Sequence, residues 1–273
     1  MASTKERQQR AAARARLERE MAQRQAAARK RRQTQAAIGA GVALLLVVAG
    51  VVWLVTSLGG NEKKTTAGAG PTAAAASCQW LPDDKKANPD LKDVGTPPAG
   101  EPHSGIQTMT ITTNRGVIEA KMDTAKVPCT AASFTYLAGK KFFDNTKCHR
   151  LVTEGIKVLQ CGDPTGKGTG GPTYKYAEEN LPKDQRPAYP EGTIAMAKTQ
   201  APSSTGSQFF IVYGDSDLPA DYTVVGTVTK GMDIVKKVGA DGAVDASGKA
   251  ASDGKPKDEV LIKTFTVSPP AAS

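Results

Sequence analysis

From Gly105 onward, short apolar runs alternate with polar positions at the period of strands that bury one face. Thr108-Met109-Thr110-Ile111-Thr112 and the run 116–122 flank Thr113-Asn114-Arg115, which predicts a hairpin. Pro128 opens a short helix burying Ala131, Phe134 and Leu137, with Gly139 ending it. Leu151-Val152 and 156–160 form a strand pair, and 192–197, 208–212, 223–228 and 260–267 are further strands. A second helix is expected over 231–238, with Met232, Val235 and Val238 on one side. Many short strands with two helices imply a mainly β fold, a closed antiparallel barrel. No internal repeat is visible.

The pattern before residue 105 is different. Ile38 to Leu58 is almost wholly apolar, inside an uncharged stretch from Gln33 to Asn61. As a helix it would be about 31 Å long, enough for a hydrocarbon core of roughly 30 Å. Trp53 stands near its far end, where an indole suits the interface. The run exceeds the apolar region of a secretory signal, which favours an uncleaved anchor. Gly59-Gly60 and Ala67-Gly68-Ala69 keep cleavage open. Residues 59–104 are rich in Ala, Thr, Gly, Pro and Lys, and read as a flexible linker spanning roughly 35–40 Å. Within it, Cys78-Gln79-Trp80-Leu81 is an apolar patch suited to docking on the domain. The divisions are a basic tail 1–37, a transmembrane helix 38–58, a linker 59–104, a β domain 105–268 and a tail 269–273.

Charge changes the picture in one place. The chain has 273 residues and a formal charge of +9, of which residues 1–32 carry +8. The basic excess therefore belongs to a tail and does not mark the domain as a nucleic-acid binder. Arg29, Lys30, Arg31 and Arg32 abut the apolar run, so the N-terminus is expected in the cytoplasm and the domain outside the cell membrane. The tail reads as a solvated helix touching anionic lipid heads.

Cys78, Cys129, Cys148 and Cys161 all fall on the outer side, where two disulfides are expected among three possible pairings. Cys148 and Cys161 are placed as cross-strand neighbours, and Cys78 would then tie the linker to Cys129. Zinc is not expected: there is no CxxC, and the histidines are only His103 and His149. Gly166-Lys167-Gly168-Thr169-Gly170-Gly171 matches GxGxxG in letters, but Pro172 follows and no helix opens there. It is a glycine-rich surface loop. Cys148 and His149 are strand neighbours that point to opposite faces, so they form no thiol–imidazole dyad.

What remains is an ordered set of pieces. Cys148-His149-Arg150-Leu151-Val152 is followed by Val158-Leu159-Gln160-Cys161-Gly162-Asp163, Gly168-Thr169-Gly170-Gly171, Ala195-Met196-Ala197 and Gly206-Ser207-Gln208-Phe209-Phe210-Ile211. In this order they resemble the cyclophilin family of peptidyl-prolyl cis-trans isomerases over about residues 105–268. The likeness is nearest to membrane-anchored, extracytoplasmic bacterial members. It implies an eight-stranded barrel capped by two helices, with a groove on one face. It also implies rotation about X-Pro bonds in exported polypeptides, with no cofactor and no metal, by a monomer. Arg150 matches the catalytic arginine, and Gln208 is assigned beside it. Val158, Phe210 and Leu218 would line the proline pocket and Gln160 would orient Arg150. Ala197, Lys198 and Tyr222 complete the substrate groove. Phe209, alternating with Phe210, belongs to the core.

Three departures stand out. Two extra residues separate Arg150 from Gln160, Lys157 stands where an aromatic pocket residue is usual, and Asp217 and Tyr222 fall near positions often held by Trp and His. These changes imply weak cyclosporin binding. The competing reading is a non-catalytic module that grips proline-containing segments.

Overall fold

The computed structural model describes residues 78–100, 103–183, 185–216 and 218–271. The basic tail, the expected transmembrane helix, residues 59–77 of the expected linker, and Asp217 lie outside the described residues. Among the described residues no helix is long and apolar enough to cross a membrane.

Two short strands come first, β1 (Leu81–Pro82) and β2 (Leu91–Lys92). The predicted hairpin follows as β3 (Ile106–Thr113) and β4 (Gly116–Asp123), paired in register from Ile106↔Asp123 to Thr113↔Gly116. Its alternation is real. Met109, Ile111, Ile118, Ala120 and Met122 are all buried, while Thr108, Thr110 and Thr112 are only half-buried. Helix α1 (Pro128–Gly139) begins with proline, which lacks the N–H that a first turn leaves unpaired. The Glu179 carboxylate accepts the next two N–H groups, from Cys129 and Thr130, at 3.3 and 2.6 Å. Gly139 is the last helical residue, and the left-handed position beyond it is Lys141, at φ +53°.

The chain continues through β5 (Thr146–Lys147), β6 (Arg150–Val152), β7 (Lys157–Cys161), β8 (Gly171–Pro172) and β9 (Tyr174–Lys175). Then come β10 (Thr193–Met196), β11 (Phe209–Gly214), β12 (Val224–Lys230) and α2 (Met232–Asp241). The last strands are β13 (Ala243–Val244), β14 (Ala250–Ala251), β15 (Asp253–Pro256) and β16 (Leu261–Val267). Twelve of these strands form one sheet in the order β14-β13-β15-β6-β7-β11-β10-β12-β4-β3-β16-β5.

The ends of that sheet are not joined, which corrects the expected closed eight-stranded barrel to an open, curled half-barrel. The reason is visible at β6. Its free edge is taken by β15, through Asp253↔Val152 and Gly254↔Leu151, so it is not available for closure. The main core lies inside the curl, where Phe134 of α1 stacks on Phe265 at 5.7 Å and meets Phe143 and Phe209. A smaller apolar cluster occupies the other face of the same strands, with Val152, Val158, Tyr189, Ala195, Phe210 and Val212. Phe209 and Phe210 thus separate to opposite faces, as alternation requires.

The expected linker divides. Its described part is a strap held to the domain, with β1 against β9 and β2 parallel to β8. Trp80 sets its ring edgewise on Tyr174 and Tyr176 at 5.3 and 5.4 Å, and Leu91 is buried. The disulfide Cys78–Cys129 closes the strap onto α1. Composition shows the prolines and lysines of this segment but not the apolar surface waiting for Trp80 and Leu91. At the other terminus Ala271, expected in a tail, exchanges backbone hydrogen bonds with Ile106 at 2.8 and 2.9 Å.

Candidate active site

The antiparallel pair β6–β7 brings Arg150 directly opposite Gln160. The pairing runs without a break through Leu151↔Leu159 and Val152↔Val158, and the turn around 153–156 joins the two strands. The disulfide Cys148–Cys161 ties the residue after Gln160 to the residue two before Arg150. Next to β7 lies β11, with Phe210 facing Gln160 and Val212 facing Val158.

These neighbours enclose a small groove of about 150 Å³. Its floor and walls are Ile156, Val158, Phe210, Leu218 and Tyr222, with Arg150, Gln160, Ala197 and Lys198 at the rim. The Tyr222 ring stands edgewise to Phe210 at 5.6 Å, and Tyr189 braces both rings from behind at 6.2 and 6.1 Å. The Tyr189 hydroxyl accepts the Tyr222 N–H at 2.9 Å, which fixes the loop that carries this ring. Val158 and Phe210 reach the pocket from β7 and β11, Ile156 from the turn before β7, and Leu218 and Tyr222 from the loop before β12.

Eight of the nine predicted residues therefore meet in one place. Gln208 stands apart from them. It lines an adjoining cavity of about 420 Å³, which shares Gln160, Ala197 and Lys198 with the groove. Its Oε1 accepts from Gln160 Nε2 at 2.8 Å, and its Nε2 donates to the carbonyls of Gly168 and Gly170 at 3.0 and 2.9 Å. In this arrangement Gln208 holds Gln160 and the glycine loop.

That loop is shaped by Asp163. Its carboxylate accepts N–H groups from Thr165, Gly168 and Gly170 at 2.6, 2.5 and 3.0 Å. A Cβ on Gly170 would lie 2.2 Å from Asp163 Oδ1, which is why that position needs glycine. Burial pushes the Asp163 pKa up, but the converging donors outweigh it and the net direction is down.

The guanidinium of Arg150 is held on two sides. Nη1 points to Gln160 Oε1 at 3.4 Å. Nε and Nη2 donate to the two carboxylate oxygens of Asp253 at 2.8 and 2.7 Å. This pairing raises the Arg150 pKa and lowers that of Asp253. Lys198 is tied to Glu178 at 3.4 Å, with both side chains largely covered.

One assignment needs correction. Lys157 is exposed and does not line the groove; Ile156 and Val158 do. Val158 lies on the groove face of β7, and Lys157, its neighbour on that strand, is turned to the other side. Sequence reasoning missed Ile156, which reaches the groove from the turn before β7 and not from the strand expected over 156–160. It also missed Asp253, which is 103 residues from Arg150 and lies in no motif.

Comparison with known proteins places the chain among one set of relatives. Residues 108–267 match the family model described as cyclophilin type peptidyl-prolyl cis-trans isomerase/CLD. The chain is 43% identical over 207 residues to a probable peptidyl-prolyl cis-trans isomerase B of Mycobacterium leprae, covering 71% of this chain and 68% of that one. It is 42% identical over 200 residues to the protein of the same description in Mycobacterium tuberculosis, covering 68% and 62%. The chain thus spans roughly two thirds of the length of these relatives. A crystal structure of a cyclophilin type isomerase from Cryptosporidium parvum, in the presence of the dipeptide Ala-Pro, superposes with TM-score 0.50 at 26% identity. It covers 59% of this chain and 99% of that one.

Proposed function

The chain belongs to the cyclophilin-type peptidyl-prolyl cis-trans isomerase family and is an enzyme of that class, and we propose that it turns X-Pro bonds in the groove beneath Arg150. The carrying observation is the meeting of an apolar pocket, built on Val158 and Phe210, with a guanidinium fixed at its rim. A prolyl bond resists rotation by about 18–20 kcal/mol, because the nitrogen lone pair is delocalised into the carbonyl. As the bond twists, the nitrogen becomes pyramidal and able to accept a hydrogen bond. A donor placed there favours the twisted state over both planar ones.

Arg150 suits this task because it is always protonated. Of its five N–H groups, two are given to Asp253 and one to Gln160. The two that remain, one on each Nη, are available to the substrate. The pocket holds the proline ring while the acyl side rotates. No nucleophile and no proton transfer are needed. Gln208, through Gln160, keeps the guanidinium aimed, and the backbone near Ala197 and Lys198 takes the substrate's main chain. The test is exchange spectroscopy on an Ala-Pro peptide with the purified full chain. Faster cis–trans exchange supports the reading, and an unchanged exchange rate overturns it.

We further propose that the enzyme is anchored in the cell membrane by residues 38–58 and assists the folding of exported proteins. The uncharged 21-residue run beside Arg29, Lys30, Arg31 and Arg32 supports this. Two disulfides in the domain fit an oxidising compartment. Protease added to intact protoplasts should remove the domain and spare the tail. A protected domain would refute the topology.

A further inference from the structure

Asp253 is a long way from every motif, and nothing in the reading of the groove requires it. It sits at the start of β15, in the small β13–β14–β15 unit that follows α2. That unit pairs with the outer edge of β6, with Asp253 opposite Val152. The pairing carries the carboxylate across to Arg150, where its two oxygens take Nε and Nη2 at 2.8 and 2.7 Å. The pair is side-on and two-pronged, and both partners are about half-exposed, 43% and 50%.

We propose that Asp253 is a positioning residue for the isomerase, and that the β13–β15 unit exists at this edge of the sheet to deliver it. This inference rests on Arg150 acting as the donor to the prolyl nitrogen. An arginine side chain that is nearly half-exposed has several rotamers of similar energy, and Gln160 alone holds it at only 3.4 Å. A single hydrogen bond of that length leaves the guanidinium free to swing. Two parallel bonds from a carboxylate fix its plane as well as its position. With Nε and one edge of Nη2 committed to Asp253, the remaining Nη hydrogens are the ones left for the groove. The carboxylate touches Arg150 and is not among the groove-lining residues, so its effect passes through the guanidinium.

Asparagine at this position keeps the shape but presents one acceptor and one donor. Its amide would confront an arginine N–H with another N–H, and the fork is broken. A misplaced group can cost catalysis ~10²-fold, and loosening Arg150 without removing it should cost part of that, about ten-fold. The expected result for Asp253→Asn in the full chain is a fall of about that size in kcat for an Ala-Pro peptide, with little change in KM. Asp253→Glu, which keeps the charge, should recover part of the loss.

A double-mutant cycle separates positioning from mere folding. Arg150→Lys removes the fork, so adding Asp253→Asn to it should cost nothing further. Slowed rotation about the Arg150 Nε–Cζ bond, read by NMR in the wild type, should quicken in Asp253→Asn. If Asp253→Asn turns over like the wild type or faster, or if its loss multiplies with that of Arg150→Lys, the proposal is wrong. If instead Arg150→Lys itself keeps full activity, it is the reading of the groove that fails. Should Asp253→Asn not fold, Asp253→Ser in the same cycle decides the matter on the same criteria.

Discussion

Replacing Arg150 by alanine separates the chemistry of the groove from its stability, because the two costs differ greatly. The catalytic cost is the loss of a preorganised donor that acts on the twisted bond. Comparable donors at other enzyme sites contribute about 10²- to 10³-fold, or about 3–4 kcal/mol. The stability cost is the loss of the Arg150–Asp253 pair, whose side chains are 43% and 50% exposed. Solvent screens such a pair, and its contribution to folding is about 0–1 kcal/mol. Removing it lowers the melting temperature of a domain this size by no more than about 4 °C. Even a domain of ~5 kcal/mol stability would remain more than about 99% folded after that loss. Unfolding therefore cannot imitate the catalytic defect. The measurement is cis–trans exchange of an Ala-Pro peptide, together with a thermal melt of the same sample. A fall of at least about a hundred-fold with a small shift in melting is the expected result. Wild-type exchange in Arg150→Ala would refute the role of the guanidinium. A drop in melting far beyond a few degrees would show that Arg150 supports the fold instead.

Three further outcomes follow from the described residues. Cys78→Ser with Cys129→Ser opens a loop closed over 51 residues, which by chain entropy lowers stability by up to about 4 kcal/mol. Urea denaturation followed by Trp80 emission checks this, and an unchanged midpoint would refute it. Lys157→Phe should leave cyclosporin inhibition where it was, since the side chain faces away from the groove, whereas Ile156→Ala should weaken prolyl-peptide binding; a gain from Lys157→Phe would show that the lysine does line the pocket. Asp163 and Asp253 both have folded pKa values below the ordinary 3.8. Their stabilisation is complete above that value and is lost as pH falls through the lower folded values. Asp163→Asn should flatten this acid limb in a pH series of denaturation midpoints, and an unchanged limb would refute the assignment.

The order of pieces from Arg150 to Phe210 makes the groove legible in the sequence through its likeness to one family, and strand alternation separates the neighbours within a piece. That rule sends Phe209 and Phe210 to opposite faces, and the family likeness says which of them faces the groove. Lys157 is misplaced for want of the same rule. Likeness to an aromatic position puts it in the pocket, while alternation from Val158 along β7 turns it to the other face. Gln160 and Gln208, each an ordinary strand amide when taken alone, acquire meaning only in the chain of hydrogen bonds from Arg150 to the glycine loop.

Other features depend on pairings between distant segments. The strap of Trp80 and Leu91 reads as linker because its few apolar residues cannot form a core by themselves. They are buried only where Tyr174, Tyr176 and the β8 strand supply the other half of the surface. The half-barrel stays open because β15 arrives at the edge of β6, a meeting of residues about a hundred positions apart that no local period encodes. The same meeting brings Asp253 to Arg150. Motif order and strand period located Arg150, Val158, Gln160 and Phe210 on the groove face, since those are local properties of each strand. The partners that hold the arginine in place were decided by sheet register, which is a property of the whole fold.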